Sequence, residues 1–268
     1  MKKNSNPTLA EQTIQDFGEQ WIAYPENEGV YASLDTLKDL VAPFDIKNFE
    51  NSVVADIGSG SGRIVNMLLA AGAKHVYAVE PSNSYAVLKE NTSQSSDKIT
   101  YLNIPGDQFK ERDLDYVVSF GVIHHIPEPQ ATMRAIHASL KAGGKAIIWV
   151  YGKEGNRLYL FFVQPLRLIT KRLPHNALHS FSKILDFFLR GYIKLCRHIK
   201  LPMHEYMINV VGKWTPHIRF VTIYDQLNPA YAKYYTRGEV LTLMENAGFH
   251  NLSIFHRHKY SWTVIGEK

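Results

Sequence analysis

Cysteine is almost absent from this chain, since Cys196 is the single one among 268 residues. One thiol can form neither an internal disulfide nor a zinc site built from several cysteines, and its rarity indicates a reducing compartment. It also excludes chemistry that needs several thiols. Histidine is plentiful, but His175 and His179 have no matching acidic partner nearby, so the sequence predicts no metal site.

A long apolar run is also missing. The most apolar stretch, Leu158 to Leu166, has nine residues, about half of the ~20 that a helix needs to cross a bilayer. The first residues carry lysines with no apolar run behind them, which predicts no signal peptide. We therefore expect a cytoplasmic protein, with peripheral contact to a membrane left open. The contents of hydrophobic residues, 45%, and charged residues, 21%, are those of a globular fold.

Positive charge is concentrated in one segment. The net charge of the chain is +5, yet residues 153–222 hold twelve Lys/Arg against three Asp/Glu, so the remainder is mildly acidic. In one interpretation this segment is a helical cap that packs on the rest of the protein or on a second copy in a homodimer. In another, its basic amphipathic helices lie on an anionic membrane or hold a lipid-linked substrate. RNA binding is the least favoured, because no nucleic-acid-binding motif accompanies the charge.

The middle of the chain alternates between strand-like and helix-like segments. The predicted strands are Ser52–Ile57, His75–Glu80, Ile99–Ile104, Leu114–Phe120 and Lys145–Tyr151. The predicted helices between them are Gly62–Ala71, Ser82–Asn91 with Ser82 as its N-cap, and Gln130–Leu140. This alternation predicts an α/β fold with a parallel, doubly wound sheet.

Four regions follow from this pattern. Residues 1–50 form a helical segment, residues 51–152 the α/β core, residues 153–222 a helical cap interrupted by prolines, and residues 223–268 a return to α/β character. The prolines of the cap are Pro165, Pro174, Pro202 and Pro216. The last region is predicted to contain a helix over Arg237–Asn246 and two closing strands, Leu252–His256 and Ser261–Ile265.

The strongest motif is the turn Asp56-Ile57-Gly58-Ser59-Gly60-Ser61-Gly62, which lies between the first strand and the first helix of the core. Glycines let a ligand approach the backbone, and the helix N-terminus offers unpaired N–H groups. The spacing differs from the G-x-G-x-x-G of dinucleotide sites, and Asp56 would repel a pyrophosphate. A cationic ligand with an amino group suits this turn, and S-adenosylmethionine (SAM) carries a sulfonium and an ammonium. Glu80, at the next strand end, can accept bonds from ribose hydroxyls.

With these motifs the chain resembles the class I SAM-dependent methyltransferases, in particular bacterial members that act on small molecules. The matching segments are Asp56–Gly62, Glu80–Ser82, Gly106–Phe109, Asp115–Pro127 and Leu140–Lys145, and flanking likenesses are Phe17–Trp21 and Tyr224–Pro229. The resemblance implies a Rossmann-like sheet of seven strands with helices on both faces. Its antiparallel last strand would be Ser261–Ile265.

The resemblance also implies a SAM site at the carboxyl edge of the sheet. The residues assigned to it are Asp56, Gly58, Ser59, Gly60, Gly62, Glu80, Pro81, Asp107, Gln108, Phe120 and Trp21. Structural alternatives stay open for two of them: Asp56 could cap the following helix, and Pro105-Gly106-Asp107 is also an ordinary turn sequence.

The candidate catalytic residues are His124, His125 and Asp225. The two histidines follow the fourth strand, where open α/β sheets bind ligands, and a histidine there could take the proton of an acceptor hydroxyl. Asp225 belongs to the segment Tyr224–Tyr235, which is too irregular for a simple helix and too aromatic for a solvent-exposed loop. Tyr231, Tyr235 and His256 are predicted to line the substrate site. The alternative is that these side chains pack the neighbouring helix onto the sheet.

The predicted function is therefore transfer of a methyl group from SAM to a small-molecule acceptor, with O-methylation by a histidine base favoured. C- or N-methylation of a small or lipid-linked metabolite, for which no strong base is required, is the second prediction. A protein of this fold that binds without catalysis is the alternative from another class. Degraded glycine and acidic positions would favour this alternative, whereas the glycines, Asp56, Glu80 and Asp107 are all in place.

Overall fold

A computed structural model describes residues 7–27, 32–170, 173–228 and 230–268. Pro229 and the side chain of His175, both named above, lie outside this described part. The helices are α1 Leu9–Ala23, α2 Leu34–Val41, α3 Arg63–Ala70, α4 Tyr85–Asn91, α5 Gln130–Ser139, α6 Arg157–Thr170, α7 His175–Cys196, α8 His204–Asn209, α9 Pro216–Leu227 and α10 Arg237–Glu245. The strands are β1 Val53–Ile57, β2 His75–Val79, β3 Ile99–Leu102, β4 Leu114–Phe120, β5 Leu140–Tyr151, β6 His250–Arg257 and β7 Ser261–Glu267.

The strands form one seven-stranded sheet in the order β3-β2-β1-β4-β5-β7-β6. Strands β1 to β5 are parallel to one another, and β7 is antiparallel to both β5 and β6. The Rossmann-like sheet predicted from the sequence, with its antiparallel last strand, is confirmed. The strand order reverses between β2-β1 and β4, so the carboxyl ends of β1 and β4 flank the crevice where such sheets bind ligands.

Helices cover both faces of the sheet because the strands alternate their side chains. Val54 of β1 packs in the core beneath α2, α3 and α4, together with Leu37, Val65 and Leu88. The next residue, Ala55, faces the other core. That second core contains Met133 and Ile136 of α5 and Val240 and Met244 of α10.

The cap comprises α6 to α9, and a buried ion pair ties α7 to α9. Asp186 and Arg219 are both buried. The guanidinium of Arg219 donates to the Asp186 carboxylate, and Arg190 donates to it as well, 2.6 Å from Nη2 to Oδ2. These cations hold the pKa of Asp186 below its usual value against the opposing effect of burial. None of the described helices is both long and apolar enough to cross a membrane.

Several sequence predictions about element boundaries were wrong. Ser82 is not the N-cap of α4, which begins at Tyr85 with Ser84 at the N-cap position; the hydroxyl of Ser82 accepts from the N–H of Ser84 at 3.2 Å instead. Strand β5 begins at Leu140 rather than Lys145, since Leu140 already pairs with Leu114. Pro165 does not interrupt the cap but lies inside α6, where burial of Leu160 and Thr170 on either side anchors the helix.

The prediction of irregular structure from Tyr224 onward was wrong for Tyr224–Leu227, which form the last turn of α9. The side chain of Thr215 caps this helix and Pro216 occupies its first turn, a favourable start. Phe220, Tyr224 and Leu227 are buried at helical spacing. Helix α9 therefore continues past residue 222, where the sequence predicted the end of the cap. Asp225 lies within this helix.

Candidate active site

The glycine turn after β1 has the backbone conformation that its sequence predicts. Gly58, Gly60 and Gly62 have φ angles of +84°, +54° and +88°, a region that side chains other than glycine rarely adopt. The N–H groups of Gly58 and Ser59 donate to the carbonyl of Val79 at 2.8 and 2.9 Å. A β-carbon on Gly58 would lie 2.3 Å from the side chain of Val122. The turn is thus fixed between β2 and the loop that follows β4.

Glu80 fixes the other side of this turn. Its carboxylate is buried and accepts from the N–H of Gly60 at 2.7 Å and from the N–H of Ser82 at 2.9 Å. The sequence predicts Glu80 as a ligand of ribose hydroxyls but does not reveal these two bonds. A carboxylate has about four lone-pair positions, so these bonds leave acceptor capacity for hydroxyl donors.

Asp56 is the buried acid beneath the turn. Within the described part of the chain, neither of its carboxylate oxygens has a hydrogen-bond partner of good geometry. Burial raises the pKa of Asp56 to about 7, although Ser59 and Arg63 act in the opposite direction. A buried carboxylate of this kind is suited to a cationic neighbour, which would stabilise its ionised form. The Asp56 carboxylate, which can accept hydrogen bonds from an ammonium group, and the glycine backbone therefore fit the ammonium-bearing end of SAM.

Helix α1 and the residues after it lie over the glycine turn. A β-carbon on Gly60 would be 3.1 Å from Nε1 of Trp21, so Trp21 lies next to the glycine turn, and its contact with the cofactor stays a prediction. Asn27 donates to the carbonyl of Ser61 and accepts from its hydroxyl, both at 2.7 Å. Asn91 donates to the same carbonyl at 2.9 Å. The sequence analysis missed both asparagines, since only the fold brings them together.

A cavity of about 390 Å³ opens between α1 and the loops that follow β2 and β3, within the range of about 300–1,000 Å³ typical of small-molecule sites. It is lined by Glu11, Ile14 and Gln15 of α1 and by Pro81, Ser82, Asn83 and Pro105. Asp107 and Gln108 follow Pro105 in an exposed 3-10 turn at Gly106–Gln108. Phe120 ends β4 with its ring in the core under α2 to α4. Pro81 thus lines the cavity directly. Asp107, Gln108 and Phe120 remain predicted ligands of SAM.

His124 and His125 are both buried in a 3-10 turn after β4. Nδ1 of His125 lies 2.8 Å from the carbonyl of Tyr231, and a carbonyl only accepts, so Nδ1 carries the proton and Nε2 is the acceptor. Burial lowers the pKa of His125 to about 3 and that of His124 well below its usual value, and the charge of Arg167 adds to this in both. Both imidazoles are therefore neutral near pH 7.

Asp225 is linked to His124 and His125 through Tyr151. Its carboxylate accepts from Nε2 of Gln20 at 3.2 Å and from the hydroxyl of Tyr151 at 3.4 Å. The ring of Tyr151 lies close to that of His124, with 3.8 Å between the centroids and the two planes tilted by 36°. Burial raises the pKa of Asp225 to about 6. Asp225 and the histidines, 100 residues apart in sequence, are thus joined through one tyrosine at the end of β5.

A network of tyrosines extends from this group, and we call Tyr151, Tyr159 and Tyr234 the tyrosine cluster. Gln226 connects all three: its Nε2 donates to the Tyr151 hydroxyl at 2.6 Å, and its Oε1 accepts from Tyr159 at 3.0 Å and Tyr234 at 3.1 Å. These residues come from β5, α6, α9 and the loop after α9. The sequence analysis did not assign a role to Tyr151, Tyr159 or Gln226.

The structure places only one of the three predicted substrate residues, Tyr231, next to the histidines. Tyr231 contributes its carbonyl to His125. Tyr235 is buried in the core between the sheet and α10 instead. His256 of β6 stacks on Trp262, with 4.0 Å between the ring centroids. For Tyr235 and His256 the packing alternative therefore describes their surroundings. No cluster of three or more His, Cys, Asp or Glu side chains able to hold a metal occurs among the described residues.

Comparison with known proteins agrees with this geometry. Residues 55–146 match the family described as "Methyltransferase domain". Ubiquinone biosynthesis O-methyltransferase of Aromatoleum aromaticum is 27% identical over 136 residues, which span 49% of this chain and 57% of that protein. Phosphoethanolamine N-methyltransferase 2 of Caenorhabditis elegans is 32% identical over 102 residues, which span 37% of this chain and 23% of that protein. The chain thus spans little more than half the length of the first relative, and less of the second.

Solved structures show the same fold. Magnesium protoporphyrin IX methyltransferase of Synechocystis with bound S-adenosylhomocysteine (SAH) has a TM-score of 0.55 at 14% identity, covering 93% of each chain. The same enzyme with bound SAM has a TM-score of 0.54, covering 99% of this chain and all of that one. The family match at residues 55–146 agrees with the prediction of SAM as the cofactor. Residues 55–146 thus match a methyltransferase domain, and the seven-stranded sheet that contains them has the fold of class I SAM-dependent methyltransferases.

Proposed function

We propose that this protein methylates a hydroxyl group of a small-molecule acceptor and that Asp225 is the base. The observation that carries the proposal is the carboxylate of Asp225, a half-buried residue, which accepts hydrogen bonds from Gln20 and Tyr151 and whose pKa is raised to about 6. A general base is most effective when its pKa lies near the working pH. The carboxylate is therefore ionised near pH 7, yet basic enough to accept a proton from an acceptor hydroxyl.

The histidines suit this role less well than the sequence analysis expected. A base with a pKa of about 3, as for His125, holds a proton poorly near pH 7. Nε2 of His125 can still accept a hydrogen bond from the acceptor and orient it. We therefore assign His124 and His125 to the wall of the acceptor site. Removal of the proton from the acceptor hydroxyl is assigned to Asp225.

Helix α1 connects the two halves of the site. Trp21 lies over Gly60 on the cofactor side, while the preceding residue, Gln20, binds Asp225 on the acceptor side. Phe17 of the same helix packs edge-on against His125, with 4.7 Å between the centroids. When bound, SAM supplies an electrophilic methyl group on a sulfonium sulfur. The contribution of the chain is to align an acceptor next to it and to exclude water, which α1 and α6 accomplish by enclosing the tyrosine cluster.

A second candidate is N-methylation of an amine. The rings of the tyrosine cluster beside the Asp225 carboxylate form surroundings that also suit an amine, through cation–π contact and ion pairing. The name of the relative from Caenorhabditis elegans describes an N-methyltransferase. The charge of Arg167, which lowers the pKa of Asp225, opposes a cationic acceptor, so the hydroxyl remains the preferred acceptor group.

Transfer of an isotope-labelled methyl group from SAM to cell extracts identifies the acceptor and tests the proposed function. The full chain is incubated with SAM carrying a ¹³C-methyl group and with aqueous and organic-solvent extracts of cells, and the products are separated by mass spectrometry. We expect one labelled product whose methyl carbon has the NMR shift of a methyl ether. A shift typical of N-methyl would favour the second candidate. A protein that binds SAM but labels nothing in any extract would contradict the proposed function.

A further inference from the structure

The cap exposes large apolar side chains to solvent. Phe161 and Phe162 of α6 are 72% and 65% exposed, and Phe187 and Phe188 of α7 are 72% and 67% exposed. Other exposed apolar residues of the two helices are Leu158, Leu168, Ile169, Ile184 and Leu195. We call these nine residues the apolar cap face. Several large exposed apolar side chains on one helix are a feature of interaction sites on soluble proteins.

The spacing gives each helix one apolar stripe. On α6, Leu158, Phe161 and Phe162 are separated by three and four positions, and on α7 the same holds for Ile184, Phe187 and Phe188. Other side chains of both helices are held by the fold: Leu160 of α6 is buried, and Leu166 of α6 and Leu178 of α7 pack in one cluster with Phe220 of α9. The helices are thus anchored on α9 and turn their apolar stripes outward.

The charge around the apolar cap face is of one sign. Helix α6 contains no acidic residue, and the one acid of α7, Asp186, is buried with Arg219 and Arg190. Exposed basic residues border the stripe of α7: Lys183 precedes Phe187 by four positions, and Arg190 and Lys194 follow it along the helix. Exposed phenylalanines with adjacent cations and no exposed acid are the features of helices that lie on anionic lipid surfaces.

A second copy of the chain fits these features less well. A two-fold dimer is isologous, so each face would meet its own copy. The basic border would then face basic residues with no exposed acid on α6 or α7 to neutralise it. The charge pattern therefore favours a negatively charged partner with an apolar interior.

We propose that the apolar cap face docks on a membrane containing anionic lipids, with the phenylalanines entering the acyl boundary and the lysines and arginines contacting phosphate headgroups. Docking would place α6 between the bilayer and the active site, because Tyr159 on its inner side belongs to the tyrosine cluster. If the proposed function holds, a hydroxyl compound dissolved in the bilayer would then be one helix away from Asp225.

Vesicle flotation of the full chain tests this proposal without any need for turnover. Vesicles of phosphatidylcholine alone are compared with vesicles that also contain phosphatidylglycerol. We expect flotation with the phosphatidylglycerol vesicles and weak flotation without them. Raising the salt from 0.1 M to 1 M, which shortens the screening length from about 10 Å to about 3 Å, should reduce the bound fraction severalfold.

The decisive variant replaces Phe161, Phe162, Phe187 and Phe188 together by serine. Since these side chains are exposed, the variant should fold and keep its SAM affinity, while its bound fraction drops by at least about tenfold. Phe255→Ser is the matched control, because Phe255 is an exposed phenylalanine on β6 outside the cap, and it should float like the parent protein.

Three outcomes would overturn the proposal. They are a parent protein that does not float with anionic vesicles, a quadruple variant that floats as well as the parent, and a parent dimer in light scattering that the quadruple variant converts to a monomer. The last outcome would assign the apolar cap face to a second copy. Failure of methyl transfer would leave vesicle binding unchanged, so the two proposals are tested separately.

Discussion

Replacing Gly60 by arginine is expected to abolish SAM binding. Gly60 has a φ of +54°, its N–H donates to Glu80, and the position of a β-carbon already lies 3.1 Å from the indole of Trp21. An arginine side chain would fill the space between the turn and α1 and place a cation where a cationic ligand is expected. We expect the affinity measured by isothermal titration calorimetry to fall by at least about 100-fold, or about 2.7 kcal/mol.

Gly143→Arg is the matched control for this change. Gly143 also has a positive φ, +75°, but nothing lies within 4 Å of its β-carbon position. Any backbone strain is therefore shared, whereas only the Gly60 variant obstructs the predicted cofactor site. The control should bind SAM within about twofold of the parent protein, a difference of less than about 0.5 kcal/mol. A Gly60→Arg protein of unchanged affinity would remove the glycine turn from the cofactor site.

Asp225→Asn is expected to lower turnover by about 10²- to 10⁴-fold, the usual contribution of a general base. Asparagine keeps the shape and still offers an oxygen to Gln20, which now donates to the carboxylate at 3.2 Å. We therefore expect SAM affinity to change little. Rates at saturating substrate, together with calorimetric SAM binding, separate the loss of proton transfer from a loss of cofactor.

The dependence of kcat/KM on pH provides a second test of Asp225 as the base. The pKa of Asp225 is raised to about 6, so below that pH the carboxyl is protonated in the free protein and cannot accept a proton. For the parent protein, kcat/KM should fall about tenfold per pH unit below pH 6, and this dependence should be absent in Asp225→Asn. If His125→Ala abolished turnover while Asp225→Asn reduced it less than about threefold, the base would be the histidine instead.

Local patterns in the sequence predict the cofactor half of the proposed site. The strand, the glycine turn and the helix that follows are consecutive, so Asp56 and Gly58 to Gly62 could be placed by spacing alone. Glu80 was found by its position at the next strand end. Its bonds to Gly60 and Ser82 could not be predicted, because they depend on how β1 and β2 pair in the sheet.

The acceptor half could not be read in this way, because its residues are distant in sequence. Gln20 and Asp225 are 205 positions apart, and they meet only because α1 and α9 both pack over the carboxyl edge of the sheet. The pKa of a histidine depends on its burial, which no local pattern reveals. His124 and His125 were therefore predicted as bases, while the fold encloses them and lowers their pKa.

A crystal structure of the full chain with SAH tests the central claim most directly, namely that the cofactor site and the Asp225 group form one active site. We predict that the amino-acid end of SAH lies on the turn Gly58–Gly62, that its ribose hydroxyls contact Glu80, and that its sulfur faces Asp225, His125 and Tyr151. A sulfur that faces away from this group, with the acceptor side closed by other residues, would contradict the account.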